Sequence, residues 1–130
     1  MIEGIVYRLK PKDFVNIGRA FDAALLSDHR RCRHGAIVVK ASRKSIGFNR
    51  VKNNPRYVEE NWTIHAECDA IKKASHTAGA TCYSVRIDLV GNSGYAKPCV
   101  NCFKVLKDAG VRKVIYSSPD SPTGFRLLKV

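Results

Sequence analysis

The chain's 130 residues suit one compact domain, spanning 1–130, that is long enough to bury a core without staples. No apolar run approaches the ~20 residues that a membrane span needs, and residues 1–10 lack the apolar core and cleavage pattern of a signal peptide. A cytoplasmic protein with no membrane partner is therefore expected, and a net charge of +12, from 23 Lys and Arg against 11 Asp and Glu, favours a phosphate-bearing partner.

Pro11, Lys12 and Asp13 introduce a helix whose apolar stripe is Phe14, Ile17, Phe21, Ala24 and Leu25 and which is expected to end near 27–29. Residues 35–40 and 45–49 read as the arms of a hairpin around a turn at 41–44. A loop through Asn53, Asn54 and Pro55 leads to a helix over 64–74 that begins near His65. Next comes a strand around 81–90 with Tyr83, Val85, Ile87 and Leu89 on one face. Over 99–109, Phe103, Leu106 and Ala109 recur at helical intervals, Pro98 takes the favoured first-turn position and Gly110 closes the helix. A strand at about 111–117 follows. Only six residues, 119–124, separate it from 125–130, whereas a parallel partner needs a crossover of about a dozen or more, so a strand at 125–130 must return antiparallel. The sum is an α/β fold, a three-layer sandwich with a mixed central sheet of about five strands flanked by helices.

Chemistry concentrates in two segments, His65-Ala66-Glu67 and Pro98-Cys99-Val100-Asn101-Cys102. Zinc takes thiolates and imidazole nitrogens in a tetrahedron, and a catalytic site typically supplies three protein ligands and leaves the fourth position to water. His65, Cys99 and Cys102 make such a set, and the metal brings the pKa of its water down toward about 7, where a hydroxide nucleophile is available. Glu67, two residues from His65, reaches that water and an adjacent substrate nitrogen without occupying the metal, which suits it to shuttling protons. Both segments open helices, whose free N–H groups and positive dipole ends favour thiolate over thiol. Cys-x-x-Cys alone also occurs in redox motifs and zinc knuckles, and it is the conjunction with His-x-Glu that carries the specificity.

The phrases His65-Ala66-Glu67-Cys68-Asp69-Ala70-Ile71 and Lys97-Pro98-Cys99-Val100-Asn101-Cys102 resemble the signature of the cytidine and deoxycytidylate deaminase superfamily, with matching order and spacing from about 35 to 116. The resemblance implies zinc-dependent hydrolytic deamination of a cytosine nucleotide or nucleoside (dCMP/CMP or deoxycytidine/cytidine) to the uracil product, with ammonia released. It implies also that Asn49, closing Gly47-Phe48-Asn49, hydrogen-bonds the sugar or base, and that the Ala66 backbone amide touches the base. Read from its own surroundings, Asn49 is equally a turn residue in a basic loop. Relatives are commonly oligomeric, so a homo-oligomer is expected. A histidine ligand is commoner in the deoxycytidylate, tRNA adenosine and polynucleotide branches, whereas a short connection before 125–130 suits the free-nucleoside branch.

Between His29 and Arg56 lie nine basic residues and no acidic one: Arg30, Arg31, Arg33, Lys40, Arg43, Lys44, Arg50, Lys52 and Arg56. They read either as a phosphate-attracting surface, for a mononucleotide or a single strand of nucleic acid, or as a solubilising one. Tyr57 and Trp62, interleaved with them, either stack on bases or serve as core or subunit contacts. Cys32 and His34 are close enough in sequence to assist a second metal, a pattern without evident partners. Two further functions therefore stand beside the first: a deaminase of single-stranded DNA or RNA, and a non-catalytic zinc module that binds nucleic acid. The last leaves Glu67 without a purpose and the metal without a fourth protein ligand.

Overall fold

The computed structural model describes residues 3–28, 32–51 and 63–130. In chain order its elements are β1 (Ile5–Val6), α1 (Pro11–Ala24), β2 (Arg33–Lys40), β3 (Arg43–Phe48), β4 (Arg50–Val51), β5 (Thr63–Ile64), α2 (Ala66–Lys73), β6 (Thr81–Ile87), β7 (Ser93–Gly94), α3 (Val100–Asp108), β8 (Lys113–Ser117) and β9 (Phe125–Lys129). The main sheet runs β1-β9-β8-β6-β2-β3, with β7 paired to β6, and β4 and β5 form a separate small ribbon. Five strands of five residues or more make its body, and β1 and β7 are two-residue additions. The sheet is mixed because β6 and β8 run parallel while the other pairs are antiparallel. The connection from β8 to β9, residues 118–124, is one residue longer than expected and still far short of a crossover, and β9 returns antiparallel to β8.

Two apolar clusters, one on each face of the sheet, make three layers. Alternation along the strands divides them: Ala36, Val38, Cys82, Val114 and Tyr116 pack beneath α2 and α3, while Ile37, Tyr83, Val85, Ile87 and Ile115 pack beneath α1. No helix among the described residues is long and apolar enough to cross a membrane.

Several expectations need correction. The inward face of α1 is Asp13, Asn16, Ile17, Ala20, Ala23 and Ala24, whereas Phe14 and Leu25 are exposed, and the helix ends at Ala24. Small residues win because α1 lies almost on the backbone of β2, where a β-carbon at Gly35 would collide with the Ala20 carbonyl oxygen and the Ala24 amide nitrogen. The hairpin turn is only Ala41-Ser42, with Ala41 at φ +54°, a left-handed conformation uncommon outside glycine. Leu89 lies past the end of β6 and is exposed, and Pro98 precedes the N-cap of α3 instead of occupying its first turn.

Candidate metal centre

Local geometry explains why the two chemical segments meet. His65 is the N-cap of α2 and Cys99 the N-cap of α3, both in extended backbone conformation, so each side chain stands at the open end of its helix. Cys102, in the first turn of α3, donates its backbone N–H to Cys99 Sγ at 3.4 Å. The seat of α2 is the backbone of β3: a β-carbon at Gly47 would collide with the Ala66 carbonyl oxygen and the Ala70 amide nitrogen, and Ser45 Oγ donates to the Ala70 carbonyl at 2.8 Å. Asp69 tightens the junction by accepting from the Phe48 amide at 3.3 Å, Arg50 at 2.7 Å and Lys73 at 3.0 Å.

The ligand atoms of His65, Cys99 and Cys102 lie within 4.8 Å of one another. His65 Nδ1 is 3.1 Å from Cys102 Sγ and 3.6 Å from Cys99 Sγ. In a tetrahedron with Zn–N of about 2.05 Å and Zn–S of about 2.3 Å, adjacent nitrogen and sulfur stand about 3.6 Å apart, so the donor set fits zinc in both type and spacing. Cys68 Sγ, 3.5 Å from Cys102 Sγ, stands outside the group of three. That Cys68 contact, burial and the Glu67 charge push the Cys102 thiol up, so a cation is what its thiolate needs. The centre thus offers three protein donors.

Glu67 is buried, and its side chain is 1 % exposed, beside the three donors yet not among them. Burial pushes its carboxyl up, but the facing His34, with a smaller contribution from His65, more than offsets this and holds it below the usual carboxylate range. His34 Nε2 is 2.9 Å from Glu67 Oε1, an ion-pair distance without the alignment of a full hydrogen bond, so that oxygen keeps unspent accepting capacity. Sequence reasoning missed this partner and considered His34 only as a metal ligand with Cys32. The signal was available: period two along β2 puts His34 on the face of Ala36 and Val38, the face that α2 covers.

Asn49 is buried just past β3. Its Oδ1 accepts from the His34 amide at 2.7 Å, its Nδ2 donates to the Cys32 carbonyl at 2.9 Å, and its own amide donates to the His34 carbonyl at 3.0 Å. One N–H of Nδ2 and one lone pair of Oδ1 remain beyond those bonds. Ala66, wholly buried, is the first residue of α2, so its N–H has no acceptor within the helix. Of the basic residues, Arg33 donates to the Asp88 carbonyl, Arg43 to Ser75 and Arg50 to Asp69. Arg30, Arg31, Lys52, Arg56, Tyr57 and Trp62 lie outside the described residues.

The sequence pattern described as the cytidine and deoxycytidylate deaminase zinc-binding region matches residues 13–118. The chain belongs to that family. It is a zinc-binding deaminase, and His65, Cys99 and Cys102 are the residues positioned to hold the ion. Among solved structures, the chain resembles the apo dCMP deaminase of cyanophage S-TIM5 at 25% identity and a TM-score of 0.66, over 88% of this chain and 90% of that one. The same phage enzyme in complex with dCMP and dUMP gives 24% identity and 0.66, over 89% and 88%. Cytidine deaminase from Burkholderia pseudomallei shares the fold at 19% identity, with a TM-score of 0.67 over 89% and 91%. No curated protein matches the chain.

Proposed function

We propose that the protein hydrolytically deaminates the cytosine ring of a small nucleotide or nucleoside, dCMP/CMP or deoxycytidine/cytidine, to the uracil product and ammonia. The observation that carries this reading is the buried Glu67 carboxylate beside three metal donors, a proton carrier that a purely structural zinc site would have no use for. Bound zinc supplies Lewis acidity, which makes water acidic enough to be a nucleophile near neutral pH.

The chain's own residues do the rest. Glu67, ionised at neutral pH, accepts a proton from the attacking water and delivers it to the ring nitrogen beside the amino-bearing carbon. It then takes the remaining proton of the added hydroxyl and passes it to the departing amine, so that cytosine and water become uracil and ammonia. The Ala66 N–H, directed out of the N-terminus of α2, meets an acceptor on the base, and the spare capacity of Asn49 meets the sugar or the base. The resemblance to a phage enzyme that binds dCMP and dUMP supports the nucleotide as substrate, as does the net charge of +12.

The test is ammonia release from cytidine, deoxycytidine, their monophosphates, free cytosine, adenosine and a cytosine-containing oligonucleotide. The expected result is turnover of a free cytosine nucleoside or nucleotide. Turnover of the oligonucleotide alone would put the activity on single-stranded nucleic acid instead, and zinc-loaded protein that releases ammonia from none of them would overturn the reading.

A further inference from the structure

His34 faces Glu67 from the opposite wall of the site, and neither its metal-binding motif nor the proposed mechanism accounts for it. The ring is buried, its side chain 5 % exposed, in the middle layer beneath α2. Nε2 is placed between two oxygens, Ser84 Oγ at 2.6 Å and Glu67 Oε1 at 2.9 Å. Ser84 Oγ in turn donates to the Ala96 carbonyl at 3.1 Å.

Counting protons fixes the tautomer. A carbonyl oxygen only accepts, so the single hydroxyl proton of Ser84 is spent on Ala96. The short contact between Ser84 Oγ and His34 Nε2 then requires the proton to come from the ring. Nε2 therefore carries hydrogen: that N–H is donated to Ser84 Oγ, and Glu67 Oε1 stands 2.9 Å from the same nitrogen, off the line of the bond, an arrangement in which an outer partner fixes both the orientation of a ring and what it can offer. The backbone of His34 is fixed as well, through the paired bonds to Asn49 just past the neighbouring strand. The donors thus run from the His34 ring to Ser84 and from Ser84 to the Ala96 carbonyl, with the Glu67 carboxylate against the same ring nitrogen.

We propose that His34 is a positioning residue for Glu67: its ring, locked by Ser84, sets the polar Nε2–H edge against one carboxylate oxygen and so aims the carboxylate at the reacting base. This rests on Glu67 being the proton carrier. His34 touches neither substrate nor the metal donors in this role, and its effect falls on the rate of the chemical step more than on binding. Loss of such an outer-shell partner costs about 10- to 100-fold in activity.

The experiment compares zinc-loaded His34→Leu, which keeps bulk and loses the donor, with His34→Gln, whose amide N–H reaches about as far as Nε2. The expected result is a 10- to 100-fold fall in kcat for His34→Leu with KM and zinc content little changed, and recovery of most of kcat in His34→Gln. Independently of whether either variant folds, nitrogen-15 NMR of the unsubstituted protein is expected to show His34 Nε2 bearing hydrogen. Parental kcat in His34→Leu, equal losses in both variants, or a bare Nε2 would overturn the proposal. If Glu67→Gln stays active, the proton-carrier reading itself fails. If Glu67→Gln is inactive and His34→Leu is not impaired, only the role of His34 fails.

Discussion

Gly47 lies against the first turn of α2 so closely that a β-carbon there would occupy the space of the Ala66 carbonyl oxygen and the Ala70 amide nitrogen. The two residues flanking Ala66 are His65 and Glu67, so the absence of a side chain on β3 sets where the first metal donor and the carboxylate stand. Gly47→Ala must push α2 off the sheet. Overpacking of this kind costs about 1–3 kcal/mol, and a misplacement of about 1 Å at a catalytic group costs about 100-fold in rate. Urea denaturation and ammonia release, measured on the same preparation, are expected to show both losses.

Two thiols near Cys102 separate the three-donor reading from a closed site. Cys99→Ala is expected to lose zinc, because it removes one of three donors whose ligand atoms converge. Cys68→Ala is expected to keep one zinc per chain, because Cys68 lies outside that group although its sulfur is 3.5 Å from Cys102 Sγ. Metal content by elemental analysis of both variants checks this.

Asp69 gathers three donors from three elements: the Phe48 amide of β3, Arg50 of β4 and the Lys73 side chain one turn along α2. The carboxylate is buried, whereas Arg50 and Lys73 are partly exposed. Asp69→Ala leaves the Phe48 amide without its acceptor and both cations without their anion, at a cost of about 2–3 kcal/mol. Chemical denaturation is expected to show that loss, and Lys73→Ala a much smaller one, since exposed helix pairs are worth about 0.3–0.5 kcal/mol.

Asp13, on the other side of the sheet, is expected to contribute to the acid sensitivity of the fold. Burial pushes its carboxyl up, but the hydroxyls of Tyr7 and Tyr83, each 2.6 Å away, and the Lys10 amide at 2.8 Å outweigh that and bring it below the usual range. A folded pKa below the unfolded value, about 3.9, means that the contribution is fully present above that pH and is lost as pH falls through the folded pKa. Denaturation midpoints are expected to drop below about pH 4, and Tyr83→Phe, which raises the folded pKa toward the unfolded one, is expected to flatten that dependence.

The metal donors were legible because few chemistries use a histidine and a Cys-x-x-Cys at two helix starts, and the antiparallel return of β9 because so short a connection permits nothing else. The face of α1 was not. Hydropathy gives weight to Phe14 and Leu25, while the helix packs through alanines that let it approach Gly35, a criterion of distance that periodicity does not measure. Ala41, a β-carbon residue at positive φ, hid the two-residue turn. The contact of His34 with Glu67 joins residues 33 apart: period two along β2 gives the face of His34, but only the packing of α2 on that face gives the partner. The pairing of Asn49 with the backbone at 32 and 34 is of the same long-range kind.

Ammonia release by zinc-loaded Glu67→Gln protein tests the central claim most directly, because the amide keeps the shape of the buried carboxylate while removing its capacity to carry a proton. With a cytosine nucleotide or nucleoside that the parent turns over, the expected outcome is one zinc per chain and no ammonia above background. Turnover at the parental rate would contradict the account.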